Sequence, residues 1–136
     1  MTDKKDFVTL AHGAGGQEMD ALIKRFGFPA PKDWQGADDD AAFMDLGDGR
    51  MLCFTTDAFT VDPLFFPGGN IGHLAVCGAL NDLLVMGARP LGLSLSFVLE
   101  EGLECSMLDE IVDTIKKLSA QTGTPVVTGD TKVMPR

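Results

Sequence analysis

Acidic side chains in this chain recur where apolar runs meet loops. Asp38-Asp39-Asp40 opens the run Ala41-Ala42-Phe43, Asp57 closes Phe54-Thr55-Thr56, and Asp130 closes Val126-Val127-Thr128-Gly129. Asp82 stands instead within an apolar stretch, Leu80-Asn81-Asp82-Leu83. A carboxylate in such surroundings is costly to bury unless it is paired, hydrogen-bonded or bound to a metal. Carboxylates converging from strand ends and one helix would form a hard-cation site, with oxygen ligands suited to Mg²⁺ bridging phosphate oxygens. Each residue alone has a plainer reading. An Asp at a strand end is most often a turn residue or helix cap, and Asp82 serves equally well as a buried hydrogen-bonding group. Spacing by itself names no reaction.

The turn His12-Gly13-Ala14-Gly15-Gly16 precedes a helical pattern. Such a turn can present backbone N–H groups to a phosphate, aided by the helix N-terminus. It matches neither GxGxxG nor GxxxxGK[ST], so neither a Rossmann nor a Walker A site is supported, and taken alone it reads more readily as a flexible connector. His12 and His73, the two histidines, stand far apart in sequence and give no Ser/His/Asp or Cys/His arrangement. Cys53, Cys77 and Cys105 sit in apolar runs or beside a helix start, which suits small core residues better than nucleophiles.

The elements that must position these residues are legible from periodicity. Residues 7 to 12 read as short and extended. Met19, Leu22, Ile23 and Phe26 give a helix over 17–26, and Gly27, Pro29, Pro31 and Gly36 then mark a loop. Short strands are expected at about 40–44 and 51–55, joined by the hairpin signal Leu46-Gly47-Asp48-Gly49. Residues 62–70 are a loop, and Asn70 is placed to cap a helix from Ile71 to about Met86. That helix is apolar nearly all round and so is expected to be largely buried. Leu91 to Phe97 alternates large and small, as a strand with one face in a core does. Ser106 and Asp109 predict a capping-box start for the next helix, with Gly123 as its stop. A strand from Pro125 then delivers Gly129-Asp130. Together these elements predict an α+β fold: one mixed, largely antiparallel sheet with helices on one face, whose serine and glycine face wants a dimer partner.

Composition sets the outer limits. A chain of 136 residues with 45% hydrophobic residues suffices for one domain with a core. The net charge of -9, with scattered Lys and Arg, argues against a nucleic-acid surface. No apolar stretch reaches the ~20 residues a spanning helix needs, and Met1–Asp6 leads into no signal-peptide core. Three cysteines without CxxC spacing suit a reducing compartment, so a cytoplasmic protein is expected.

As an ordered set the signals become specific. The segments Asp39-Asp40-Ala41-Ala42, Phe54-Thr55-Thr56-Asp57 and Asn81-Asp82, with Thr128-Gly129-Asp130, resemble those of the superfamily of aminoimidazole ribonucleotide (AIR) synthetase, selenophosphate synthetase and thiamine-monophosphate kinase. Pro63-Leu64-Phe65-Phe66-Pro67-Gly68-Gly69, Leu93-Ser94-Leu95-Ser96-Phe97 and Thr128-Gly129-Asp130-Thr131-Lys132-Val133 look like the HypE family of hydrogenase maturation proteins in particular.

The resemblance implies an AIR-synthase-like N-terminal domain spanning 1–136 that binds ATP and Mg²⁺ near a dimer interface, where two copies build a β-barrel. By motif position Asp40, Asp57, Asp82 and Asp130 would be the metal and phosphate-site carboxylates, with Asp39 a further candidate and Asn81 and Thr56 in support. Gly15 and Gly16 would belong to a nucleotide-covering loop, and Lys132 with Asp130 would serve catalysis at the transferred phosphate. The implied chemistry is ATP-dependent dehydration of a carbamoyl group on a cysteine to a thiocyanate, which supplies cyanide ligands to nickel-iron hydrogenases. The implied partners are a second copy, a carbamoyltransferase and an iron-cyanide scaffold. The family's second domain and its terminal cysteine do not follow Arg136, so this chain is expected not to complete turnover alone. Two other readings stand beside this one: a thiamine-monophosphate kinase or selenophosphate synthetase type of enzyme, and a non-catalytic dimerisation or docking module. No cysteine between Met1 and Gly16 matches the reactive residue of selenophosphate synthetases.

Overall fold

One glycine and one asparagine decide how the main helices meet. The computed structural model describes residues 7–29, 32–36 and 39–136; Met1–Asp6, Pro31 and Asp38, used in the sequence reading, lie outside the described residues. The chain divides into two units, Met1–Lys32 and Asp33–Arg136.

In the first unit a 3₁₀ turn, Leu10–Gly13, leads through Gly15 and Gly16 into α1, Gln17–Phe26. The expected extended stretch at 7–12 is therefore broken. Its cause is local: the Thr9 N–H donates to His12 Nδ1 at 3.1 Å, closing the turn. Gly27 ends α1 at φ 64°, a left-handed conformation that a glycine adopts without strain.

The second unit begins with the antiparallel hairpin β1, Ala42–Asp45, and β2, Met51–Phe54. Residues 55–64 follow without regular structure, and a small hairpin, β3 (Phe65–Phe66) and β4 (Gly69–Asn70), delivers the chain to α2, Ile71–Val85. Asn70 caps α2 as expected. Its Oδ1 accepts from the Gly72 N–H at 2.9 Å, and its Nδ2 donates to Thr114 Oγ1 at 2.9 Å, tying α2 to the next helix. β5, Leu93–Glu100, leads to α3, Cys105–Thr122, and then to β6, Val126–Met134. α3 starts one residue before Ser106, with Glu104 at the N-cap position, and no side chain there makes a capping bond. The predicted Ser106–Asp109 box is not formed, because Ser106 turns back toward Glu104 Oε2 at 3.5 Å.

The α+β class holds, but not the single largely antiparallel sheet. Among the described residues three separate two-stranded sheets form, and the longest ladder, β5 with β6, is parallel. The reason is α3: a helical crossover carries the chain back to the end of the sheet where β5 began, so the next strand runs in the same direction. No closed barrel exists among the described residues.

Val76 and Leu80 of α2 and Ile111 and Ile115 of α3 make the core, with Leu93, Leu95 and Phe97 of β5 packed against it. Both helices thus lie on one face of β5, as anticipated. Gly72 lets them close: a Cβ there would come within 2.9 Å of the Ile111 carbonyl oxygen and 3.1 Å of Ile115 Cγ1. The expectation of an almost fully buried α2 fails at its C-terminal end, where Leu84 is 57% and Val85 68% exposed, since no described residue of this unit covers them. Among the described residues no helix is long and apolar enough to cross a membrane.

Candidate functional site

Asp82 lies in the last turn of α2, half-buried, and the irregular segment after β2 comes to meet it. The Thr55 hydroxyl is the link. It donates toward the Asp40 carbonyl oxygen at 3.0 Å and toward Asp82 Oδ2 at 3.1 Å, so one side chain joins the approach to β1, the exit from β2 and the end of α2. Two residues on, the Asp57 carboxyl comes close enough to Asp82 to feel its charge. Asp57 is an exposed residue, but partial desolvation of its carboxyl, with the nearby charge of Asp82, pushes it above the usual carboxylate range. Two carboxyl groups in contact favour holding one proton between them when no cation is near.

This juxtaposition has the chemistry of a Mg²⁺ site. Magnesium is commonly held by one or two protein carboxylates, with phosphate oxygens and water completing its octahedron. Among the described residues no three carboxylate, histidine or cysteine side chains gather into a metal-holding group. The residues present fit an ion carried in with phosphates better than an all-protein cage.

Of the residues singled out from the sequence, the structure brings Asp57 and Asp82 into contact, with Asp40 joined through its backbone. Thr56 and Asn81 are exposed neighbours of the pair, and Asp39 is exposed beside Asp40. The hydroxyl that does the linking belongs to Thr55, which sequence reasoning passed over; its half-buried position between exposed Phe54 and Thr56 is a signal only the fold reveals.

Asp130 and Lys132 form a second group. Asp130 grips Lys132 Nζ with both oxygens, at 2.7 and 2.6 Å, and both side chains are exposed. In the parallel register Asp130 pairs with Ser96 and Lys132 with Val98. These are the exposed positions of β5, alternating with Leu95 and Phe97, which face the helices. Asp130 makes no hydrogen bond to Asp57 or Asp82. Gly129 sets the approach of β6: a Cβ there would overlap the Leu95 carbonyl oxygen and lie 3.2 Å from the Leu95 carbonyl carbon. A shallow hollow beside it is lined by Leu95, Phe97, Thr128 and Asp130. In the first unit Gly15 and Gly16 take φ of 82° and 77°, with open space where a side chain would be.

Comparison with known proteins gives this geometry a context. Residues 38–136 match the family described as AIR synthase related protein, N-terminal domain. The chain is 46% identical over 134 residues to carbamoyl dehydratase HypE of Escherichia coli (strain K12), covering 95% of this chain and 40% of that protein. It is 46% identical over 139 residues to the carbamoyl dehydratase HypE of Rhodobacter capsulatus, covering 100% of this chain and 41% of the relative. Among solved structures it resembles HypE in a HypE–HypF complex, with TM-score 0.72 and 42% identity over 85% of this chain and 36% of that one. It also resembles a HypE in complex with ATP, with TM-score 0.58 and 40% identity over 96% of this chain and 38% of that one. The chain therefore spans about two fifths of the length of the relatives it matches.

Proposed function

The chain belongs to the AIR synthase related protein family, as its N-terminal domain, and on that premise we propose that it is the ATP-binding domain of a hydrogenase maturation enzyme. In this reading the whole enzyme dehydrates a cysteine-linked carbamoyl group to a thiocyanate destined for the cyanide ligands of a nickel-iron hydrogenase. The observation that carries the proposal is the 46% identity to a carbamoyl dehydratase, sustained over 95% of this chain. The contact between Asp57 and Asp82 supports it independently, since paired carboxylates linked by Thr55 suit a magnesium-bound phosphate.

The division of labour follows from the residues. Asp57 and Asp82 hold the cation, Asp40 and Asp130 contribute carboxylates to the metal and phosphate site, and Thr56 and Asn81 line it. Mg²⁺ bound there would neutralise charge developing on the γ-phosphate. Gly15 and Gly16, in the first unit, have the backbone freedom that a nucleotide-covering loop needs. Lys132 carries positive charge to the transferred phosphate once released from Asp130, a role worth most in a site that excludes water. An amide oxygen is a poor leaving group, and phosphorylating it makes departure with its electron pair feasible.

A homodimer completes the reading. All nine residues of β6 are exposed, Val127 and Val133 at 67% each, although parallel sheets are ordinarily covered on both faces. A second copy adding strands there would form the expected barrel. A carbamoyltransferase and an iron-cyanide scaffold are the proposed further partners. Free Cys53, Cys77 and Cys105 suit a reducing, cytoplasmic setting.

Thermal denaturation with and without Mg-ATP tests the assignment. Ligand at a hundredfold excess over its dissociation constant adds about 2.7 kcal/mol of stability. A rise in melting temperature of several degrees, lost in Asp57→Asn, is expected. No shift at millimolar ATP overturns it.

A further inference from the structure

Residues 55–64 carry the cation-site residues Thr55 and Asp57 but belong to no strand or helix. Something outside their own backbone must hold them. Gly78 supplies the clue, because a glycine in the middle of a 15-residue helix is unfavourable by roughly 0.5–1 kcal/mol relative to alanine and calls for a reason. A Cβ at Gly78 would overlap Cζ of Phe59 and lie 2.7 Å from its Cε1. The edge of the Phe59 ring thus fills the volume that a side chain at 78 would occupy.

The contacts fall in sequence along one side of the helix. Asp57 meets Asp82, Phe59 meets Gly78, and the Leu64 carbonyl oxygen accepts from the Ile71 N–H at 2.9 Å. Positions 71, 78 and 82 share a helix face, so the segment runs back along α2, opposite in direction to the helix. Between the Thr55 hydroxyl at one end and the Ile71 amide at the other, the ring of Phe59 in the Gly78 notch is the intermediate anchor. It lies two residues from Asp57.

We propose that Phe59 and Gly78 are positioning residues of the magnesium–nucleotide site: the ring seated in the notch sets the height of Asp57 against Asp82. Neither residue needs to touch the ligand. The inference rests on the reading of Asp57 and Asp82 as cation ligands, but the seating of the segment is a separate physical claim. A methyl group at 78 forces the ring outward and carries the neighbouring Asp57 with it, and misplacements of about 1 Å are known to reduce the output of a site by as much as ~10²-fold.

The test uses the 136-residue chain, with calorimetric ATP titration in saturating Mg²⁺ and hydrogen exchange of the peptide spanning 55–61. Gly78→Ala is expected to raise the Kd for Mg-ATP about tenfold, equivalent to about 1.4 kcal/mol, and to accelerate exchange across 55–61. Adding Phe59→Leu to it makes room for the methyl group and is expected to recover most of the affinity, a rescue that general destabilisation would not give. Phe59→Leu alone keeps the test decisive if Gly78→Ala does not fold; it leaves the notch partly empty and should weaken binding several-fold. Unchanged exchange and unchanged affinity in the variants overturn the proposal. A wild-type chain that fails to bind Mg-ATP, while Gly78→Ala still accelerates exchange, overturns the nucleotide reading and leaves the seating of the segment standing.

Discussion

Replacing Asn70 should reveal how much of the main unit depends on one side chain. Asn70 is 4% exposed, and its amide satisfies groups on two helices: the Gly72 N–H at the start of α2 and the Thr114 hydroxyl on α3. Asn70→Ala removes both. Loss of an N-cap costs about 0.5–2 kcal/mol, and loss of a neutral hydrogen bond such as that to Thr114 about 0.5–1.5 kcal/mol. Gly72 is buried, so its N–H has no easy recourse to water, which puts the cap near the upper end of its range. Thr114 is less affected, because its hydroxyl still donates to the Glu110 carbonyl oxygen at 3.0 Å. The sum is about 2–3 kcal/mol, a large share of the 5–15 kcal/mol typical of a folded domain. Urea unfolding measures it, and an unchanged m-value shows that the folded state stays intact. Asn70→Asp keeps the acceptor for Gly72 but loses the donor to Thr114, and should fall about midway. In a cycle with Thr114→Val, a coupling energy of about 0.5–1.5 kcal/mol isolates the bond between helices. An Asn70→Ala change within about 0.5 kcal/mol of wild type, or additivity in the cycle, refutes the account of Asn70 as the joint between α2 and α3.

Other consequences concern charge and strand packing. Because the Asp57 carboxyl titrates above its ordinary range, its contribution to folding is fully present below about pH 4 and is lost as pH rises through the raised value. Urea midpoints of the metal-free chain should record that loss, and Mg²⁺ should reverse it. Asp82→Asn should shrink the dependence without abolishing it, since burial is the leading cause; no change in the pH profile counts against the pairing. Gly129→Ala sets a Cβ against the Leu95 carbonyl oxygen, a backbone atom that cannot swing aside, and should cost about 1–3 kcal/mol in urea unfolding while removing the thermal response to Mg-ATP. Lys132→Ala breaks an exposed ion pair and should leave stability within about 1 kcal/mol; a larger loss would mean that Lys132 serves the fold rather than the phosphate.

Local signals were readable in the sequence; pairings between distant segments were not. α1 occupies the span its apolar periodicity indicates, and α2 begins at the residue after its Asn70 cap. The hairpin turn after Asp45 and the stop at Gly123 follow from glycine chemistry that acts over a few residues. The direction of β6 depends on where α3 delivers the chain, which no window of residues encodes. Thr55 illustrates the same limit. The pattern Phe54-Thr55-Thr56-Asp57 was expected to mark a site, but which threonine turns inward is set by Asp82 of α2, 27 positions away along the chain. Asp82 was legible as anomalous because a carboxylate amid leucines needs a partner; several carboxylates were expected to converge on it, and the one that lies beside it is Asp57.

That partnership is the strongest physical argument for a cation. Asp82 occupies the last turn of α2, where the helix dipole is negative and disfavours an anion. Asp57 adds a second acid in contact with it, and partial burial weakens the screening that water would give. The described ion pairs engage Asp48, Asp113, Asp130 and Glu100, not these two. The Thr55 hydroxyl supplies a single donor to Asp82, too little to offset two charges. Desolvation and like charge therefore both oppose ionisation of Asp57, while three anchors along α2 hold the segment that places it there. A fold that enforces an unfavourable contact at several points is preorganised for whatever relieves it. Under the proposed function that relief is a small divalent cation, and the phosphates such an ion brings would supply the ligands the protein leaves open.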